Sequence, residues 1–143
     1  MRLFGGRLFN LLRLIRESGR PEFEREIGHK DIHRQLIVMI GTFGGLASQE
    51  IVALSGHEKA QVSRALKPLE QAGLLQRERL RGKLTLAPAG QQLYDRMLAL
   101  GRARDGLLSA GLSASDLARF MEMTDSLTVT AAAPGAVFQA DNK

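Results

Sequence analysis

Cysteine is absent from this chain of 143 residues. Disulfides, thiolate metal sites and thiol redox sensing are excluded, and a reducing compartment is compatible with that. Tryptophan is absent too, and aromatic residues make up only 5%. A core of this size must therefore be built from aliphatic side chains, with limited reserve in a monomer. No segment approaches the roughly 20 uncharged residues of a membrane span, so a cytoplasmic protein without membrane partners is expected. Catalytic constellations are missing as well. The three histidines are scattered, and no serine–histidine–aspartate or paired-carboxylate pattern appears. Neither an enzyme nor a cofactor is expected.

The N-terminus, MRLFGGRLFNLLRLIRESG, has no acid before Glu17. Arg2, Arg7, Arg13 and Arg16 interrupt every apolar run, so no secretory core is present. Phe4, Leu8, Leu11, Leu12 and Ile15 recur at helical spacing, with Gly5 and Gly6 fraying the start. An amphipathic helix packed on a partner helix is the expected form. Contact with a membrane surface or a targeting role is the other reading of residues 1–16.

What the chain does have is positive charge in one place. The net charge is +5. Between Glu58 and Lys83 lie Lys59, Arg64, Lys67, Arg77, Arg79, Arg81 and Lys83, against Glu58, Glu70 and Glu78. Nearly all the surplus sits in this stretch. A clustered surplus implies a polyanionic partner, whereas an even one implies only solubility.

The order of elements follows from periodicity and punctuation. Gly19-Arg20-Pro21 marks a break after the first helix. A helix is expected over about Lys30 to Phe43, with Ile32, Leu36, Ile37 and Ile40 inward, stopped by Gly44-Gly45. A short helix from Ser48 to about Leu54 buries Ile51 and Leu54. Ser55-Gly56 turns the chain into a helix from Glu58 to Ala72, ended by Gly73. Strands are expected over Leu74–Arg79 and Lys83–Leu86. Pro88 opens a helix that carries Leu93, Tyr94, Met97, Leu98 and Leu100 and continues past Gly101. Ser113-x-x-Asp116 resembles a capping box and opens a last helix with Leu117, Phe120, Met121, Thr124 and Leu127 on one face. From Thr128 onward a loose tail is expected.

At 100° per residue, Val62, Ala65, Leu66 and Leu69 form one stripe of the 58–72 helix. Ala60, Arg64, Lys67 and Gln71 lie opposite, flanked by Gln61 and Ser63. Arg64 can fork onto a guanine edge or a phosphate, Gln61 can pair with adenine, and Ser63 suits either. Ala60 permits close approach. A solvated surface face is the alternative reading. Pro68 lies inside this helix, where a proline costs about 3 kcal/mol, so a bend is expected there. Along the hairpin, Arg77, Arg79, Arg81 and Lys83 share strand parity and point to one side, with Gly82 in the turn. Three arginines and a lysine on one side of a ribbon suit an anion. An edge strand charged against aggregation is the alternative.

These residues resemble the MarR family of winged helix-turn-helix transcription regulators. The match runs without gaps from Leu46 to Leu75. Glu50-Ile51 is similar to the start of the family's first motif helix, and Gly56 to its turn. Val62-Ser63-Arg64 is similar to the family's VSR in the recognition helix, and Leu69-Glu70 with Gly73-Leu74 to its LE…GL close. Leu86-x-Pro88-x-Gly90 resembles the LTPxG after the wing, and Leu112-Ser113 the opening of the closing helix. The wing departs from the pattern. It lacks the family's Asp-x-Arg element and is shorter, with Leu80-Arg81-Gly82-Lys83 as its tip. Ala47 and Ala87 stand where threonine caps are common.

The resemblance implies a mainly α fold with a small β-wing, a winged helix-turn-helix flanked by N- and C-terminal dimerisation helices. Residues 1–29 would form the N-terminal dimerisation segment, 30–87 the DNA-binding domain, 88–127 the C-terminal dimerisation helices and 128–143 the tail. It also implies a homodimer acting as a repressor on double-stranded DNA. Two recognition helices, about 58–72, would enter major grooves about 34–36 Å apart on a pseudo-palindromic operator. Wings, 76–84, would lie at the minor grooves. The expected DNA-binding set is Ser48, Lys59, Ala60, Gln61, Ser63, Arg64, Lys67, Arg77, Arg79, Arg81 and Lys83. Many members of the family respond to a small anionic or phenolic effector, and Arg13, Arg16, His33 and Arg34 are its candidate neighbours or plain surface charges. His29 and His33 share a helical face, yet no third metal ligand accompanies them, so no metal site is expected. The competing class is a winged-helix module for protein–protein contact. Such a module would place a large apolar anchor on the 60–71 outer face, and this sequence has none there.

Overall fold

The computed structural model describes residues 3–79 and 82–133. The elements run α1 (Phe4–Glu26), α2 (Asp31–Phe43), α3 (Ser48–Ser55), α4 (Lys59–Gln71), β1 (Leu75–Arg77), β2 (Leu84–Leu86), α5 (Pro88–Ser109) and α6 (Ala114–Ala132). Contacts divide the chain into two compact units, Met1–Arg102 and Ala103–Lys143.

The core of the first unit is aliphatic, as the scarcity of aromatics requires. Leu36, Ile37 and Ile40 from α2 pack with Ile51 of α3, Val62, Leu66 and Leu69 of α4, Leu75 and Leu84 of the wing, and Leu93 and Met97 of α5. Full burial of each such side chain contributes about 1.5–3 kcal/mol. β1 and β2 pair antiparallel, with Leu75 opposite Leu86 and Arg77 opposite Leu84. Leu46, between α2 and α3, exchanges both backbone bonds with Leu84, at 3.0 and 2.8 Å. That bridge fastens the wing to the helix-turn-helix.

The start of α5 is fixed by the wing and not by a side-chain cap. The Ala87 amide donates to the Leu74 carbonyl at 3.0 Å, and Pro88 has no amide to satisfy. One turn on, a Cβ at Gly90 would stand 2.0 Å from the same Leu74 oxygen. Only glycine permits this crossing. Ala87 itself is buried, which leaves no room for the hydration that a polar cap usually enjoys.

α1 corrects one expectation. The helix starts at Phe4, contains Gly5 and Gly6, and passes through Gly19-Arg20-Pro21 without a break. Pro21 removes the donor that would reach the Glu17 carbonyl. It faces solvent, while Gly19 is buried and Phe23 and Ile27 pack on the core. Tertiary packing of the last turns outweighs the local cost. The turn into α2 has positive φ at Gly28 (71°) and His29 (62°). Buried Arg34 holds it, donating from Nη1 to the Gly28 and His29 carbonyls at 3.0 and 2.7 Å. In the N-terminal half of α1, Leu8, Phe9, Leu11, Leu12 and Leu14 remain exposed.

α3 buries Ile51 but leaves Leu54 exposed, contrary to expectation. Its inward side runs through Ile51 and the half-buried Val52 and Ser55, so Leu54 falls off the edge of a stripe barely two residues wide. α5 passes through Gly101 to Ser109, as its sequence suggested.

In the second unit, Ser113 caps α6 by accepting from the Asp116 amide at 3.1 Å. α6 extends five residues into the segment expected to be a tail, ending at Ala132. Thr128 and Thr130 return their hydroxyls to the Thr124 and Ser126 carbonyls at 2.8 and 3.1 Å. This back-bonding satisfies the hydroxyls within the helix but does not itself stabilise it. No residue of α6 is buried, and Phe120, Met121, Met123 and Leu127 are all exposed. Residues 134–143 of the expected tail lie outside the described residues.

Candidate nucleic-acid interface

The reading helix is positioned by the turn that precedes it. α3 ends at Gly56, whose φ of 70° needs no side chain in the way. His57 then anchors the turn twice. Its amide donates to Ser55 Oγ at 3.2 Å, and its Nε2 lies 2.7 Å from Gln35 Oε1 on α2. Glu58 is the N-cap of α4, and its amide donates to Gln61 Oε1 at 3.1 Å. The same half of a capping box starts α3, where the Ala47 amide donates to Glu50 Oε2 at 2.7 Å. Glu50 thus compensates for alanine at the cap.

The two faces of α4 fall where 100° per residue puts them. Val62, Ala65, Leu66 and Leu69 are buried, while Lys59, Ala60, Gln61, Ser63, Arg64 and Lys67 are exposed. Ser48, at the first turn of α3, is exposed as well. Gln61 is partly committed, since its oxygen caps the helix and only its amide NH2 remains to donate outward. Pro68 is exposed and does not end α4, which continues to Gln71. After it the ladder resumes, with the Ala72 amide donating to the Pro68 carbonyl at 2.9 Å.

The wing is shorter in regular structure than its parity pattern implied. β1 stops at Arg77 and β2 starts at Leu84. Beyond them the Glu78 amide donates to the Lys83 carbonyl at 2.8 Å, and the Gly82 amide to the Glu78 carbonyl at 3.0 Å. The bond between Glu78 and Lys83 continues the register that sets Arg77 opposite Leu84, so Lys83 shares the face of Glu78 and not that of Arg77. Arg79 is exposed in the loop, and Lys83 is half-buried. Arg81 lies outside the described residues. Arg77 turns toward α4. Its Nη2 donates to Glu70 Oε1 and its Nη1 to the Gly82 carbonyl, both at 3.1 Å.

α3, α4 and β1 enclose a cleft of about 400 Å³. Ser48, Lys59, Ser63, Lys67 and Arg77 line it, together with Gln49 and Glu70, which the sequence reading did not select. Glu70 could not be picked out from sequence, because its partner lies seven residues on, across a helix end and a strand. Ala60, Gln61 and Arg64 lie outside the cleft lining, on the exposed face of the same helix.

His33 is half-buried, and desolvation, then Lys30 and His29, hold its pKa below the ordinary value of 6.5. Among the described residues no three histidines, aspartates or glutamates converge as metal ligands, and no helix is long and apolar enough to cross a membrane.

Residues 27–83 match the model of the MarR family. No curated protein matches the chain. Among solved structures, a MarR-family regulator of Listeria monocytogenes complexed with a 26mer DNA is 19% identical, with TM-score 0.77, covering 100% of this chain and 98% of the other. The MarR family protein Rv2887 of Mycobacterium tuberculosis, complexed with DNA, is 23% identical with TM-score 0.75, covering 89% and 98%. The same mycobacterial protein complexed with p-aminosalicylic acid gives TM-score 0.72 at 23% identity, covering 88% and 98%. Residues 27–83 are therefore similar to the MarR family model, and the chain shares the fold of solved MarR-family structures.

Proposed function

We propose that this chain is a dimeric, sequence-specific DNA-binding transcription regulator that acts as a repressor. The observation that carries this reading is the division of α4. Four apolar side chains fix it to the core, and the opposite face offers Lys59, Ser63, Arg64 and Lys67 with no large apolar group among them. Such a face fits a major groove, where Arg64 reads a guanine edge and the lysines and Ser48 hold phosphates. Ala60 lets the backbone approach, and the free amide of Gln61 donates. Arg79, Arg81 and Lys83 of the wing reach the adjacent minor groove.

The exposed apolar faces of α1 and α6 support a homodimer, in which residues 1–29 and 88–127 serve association and 30–87 serve DNA. Two reading helices then call for a pseudo-palindromic operator. Occupying such a site within a promoter excludes polymerase, which gives the repressive sign. The p-aminosalicylic acid bound by the mycobacterial relative supports a small aromatic carboxylate as releasing effector. Use as a protein-docking module is disfavoured by the absence of an apolar anchor on the α4 face.

The test is selection of bound sequences from a random DNA pool, followed by titration of the winner. Affinity should fall by about 10³–10⁵ between 50 and 200 mM salt for a dimer neutralising about 6–10 phosphates. Arg64→Ala should cost about 1–3 kcal/mol and relax preference at one position per half-site. Failure to enrich any sequence, or salt-independent binding, would sink the reading.

A further inference from the structure

Arg77 belongs to the expected DNA-binding set, and its guanidinium is engaged within the protein on both branches. One guanidinium branch is bonded to Glu70 on α4, and the other to the Gly82 carbonyl in the wing loop, each at 3.1 Å. The Arg77 and Glu70 side chains are 46% and 33% exposed, so the pair is wet enough to break and re-form. Gly82 is tied in turn to Glu78, and Glu78 to Lys83. A single side chain thus links the last turns of the reading helix to the loop that carries Arg79 and Lys83.

We propose that Arg77 and Glu70 form a strap that sets the position of the wing relative to the reading helix. Arg77 is a positioning residue for DNA recognition and not itself a phosphate contact. This rests on the DNA-binding reading above and deepens it. Arginine is required because a planar fork satisfies both acceptors at once, whereas an ammonium on a flexible stem satisfies them poorly. The strap also explains an acid beside the cationic surface. Among the described residues, Glu70 is the one carboxylate lining the cleft at α4, where a negative charge opposes a polyanion unless it has a structural use.

The charge of Glu70 makes the strap testable by sign. Removing an acid from a DNA-binding face strengthens binding through electrostatics alone. The strap predicts the reverse for Glu70→Ala, a weakening of roughly three- to fivefold, the scale of a half-exposed ion pair. Glu70→Gln removes the same charge but keeps an acceptor for Arg77, so it should remain within roughly twofold of the wild type. Arg77→Lys, which keeps the charge but not the fork, should weaken binding like Glu70→Ala. Hydrogen exchange at the Glu78 and Gly82 amides gives a second readout on the free protein. Protection there should fall in Glu70→Ala and Arg77→Lys and persist in Glu70→Gln, with protection across α2 unchanged. Equal or tighter binding by Glu70→Ala, or unchanged exchange in the wing loop, overturns the proposal. If the wild type binds no DNA, the functional reading fails, and the exchange measurement still decides the strap.

Discussion

At the Gly90 position a methyl group would lie 2.0 Å from the Leu74 carbonyl oxygen, which already accepts the Ala87 amide. Neither partner is a flexible side-chain tip, so the contact cannot be relieved by a rotamer change. Gly90→Ala must part β1 from α5 or bend the helix start. Overpacking of well-ordered interiors costs about 1–3 kcal/mol, and backbone against backbone belongs at the upper end. Urea unfolding should show a loss of about 3 kcal/mol. A loss under about 0.5 kcal/mol, the range of unremarkable surface changes, would show that the crossing is soft. Arg34 illustrates the opposite case at the same scale. Its charge is buried, but two carbonyls accept from it, and Asp31 stands 3.5 Å away. The sequence offered Arg34 as a neighbour for an effector, and what it does is hold a turn.

Among the elements, α4 was legible from sequence almost residue by residue, because one apolar stripe on an ideal helix leaves little choice of orientation. α3 was legible in extent but not in facing, since eight residues cannot define a stripe well enough to place Leu54. α1 departs from its expected break at Pro21, where local propensity argues for an interruption and burial of Gly19 with packing of Phe23 and Ile27 prevails. The wing departs from expectation for another reason. Across a hairpin the facing follows register, and the bonds that join Glu78 to Lys83 put Lys83 on the face opposite to that of Arg77. Those bonds and the reach of Arg77 to Glu70 are tertiary choices with no local signature. Pro68 supplies a prediction at this scale. It is exposed in the penultimate turn of α4, and it leaves the Arg64 carbonyl without a helical donor. Pro68→Ala restores that donor and relieves the ring, a gain of about 3 kcal/mol set against about 1 kcal/mol of added freedom in the unfolded chain. A net stabilisation near 2 kcal/mol is expected from denaturant titration. Destabilisation would mean that a proline-induced bend is needed for packing of Val62 and Leu66.

For the whole molecule, the winged helix is legible in the spacing of glycines and arginines, while the distribution of burial follows from tertiary packing that has no local signature. All of the densely packed side chains belong to the unit that ends at Arg102, and α6 has none. A helix of 19 residues with no buried side chain draws little stability from packing within its own chain. Its order is consequently conditional on whatever covers its apolar face, which makes helicity in this segment a concentration gauge. On the homodimer reading, dilution should melt α6 before the winged helix. Circular dichroism should lose a fraction of its helical signal in a protein-concentration-dependent step, and hydrogen exchange should assign that step to 114–132. The same concentration dependence should appear in Tm, since association contributes to stability by mass action. A concentration-independent spectrum with protected α6 amides would count against it. The winged helix would then stand folded at dilutions where its partner is gone, so the steepness of any genetic response would be set by a helix that buries none of its own side chains.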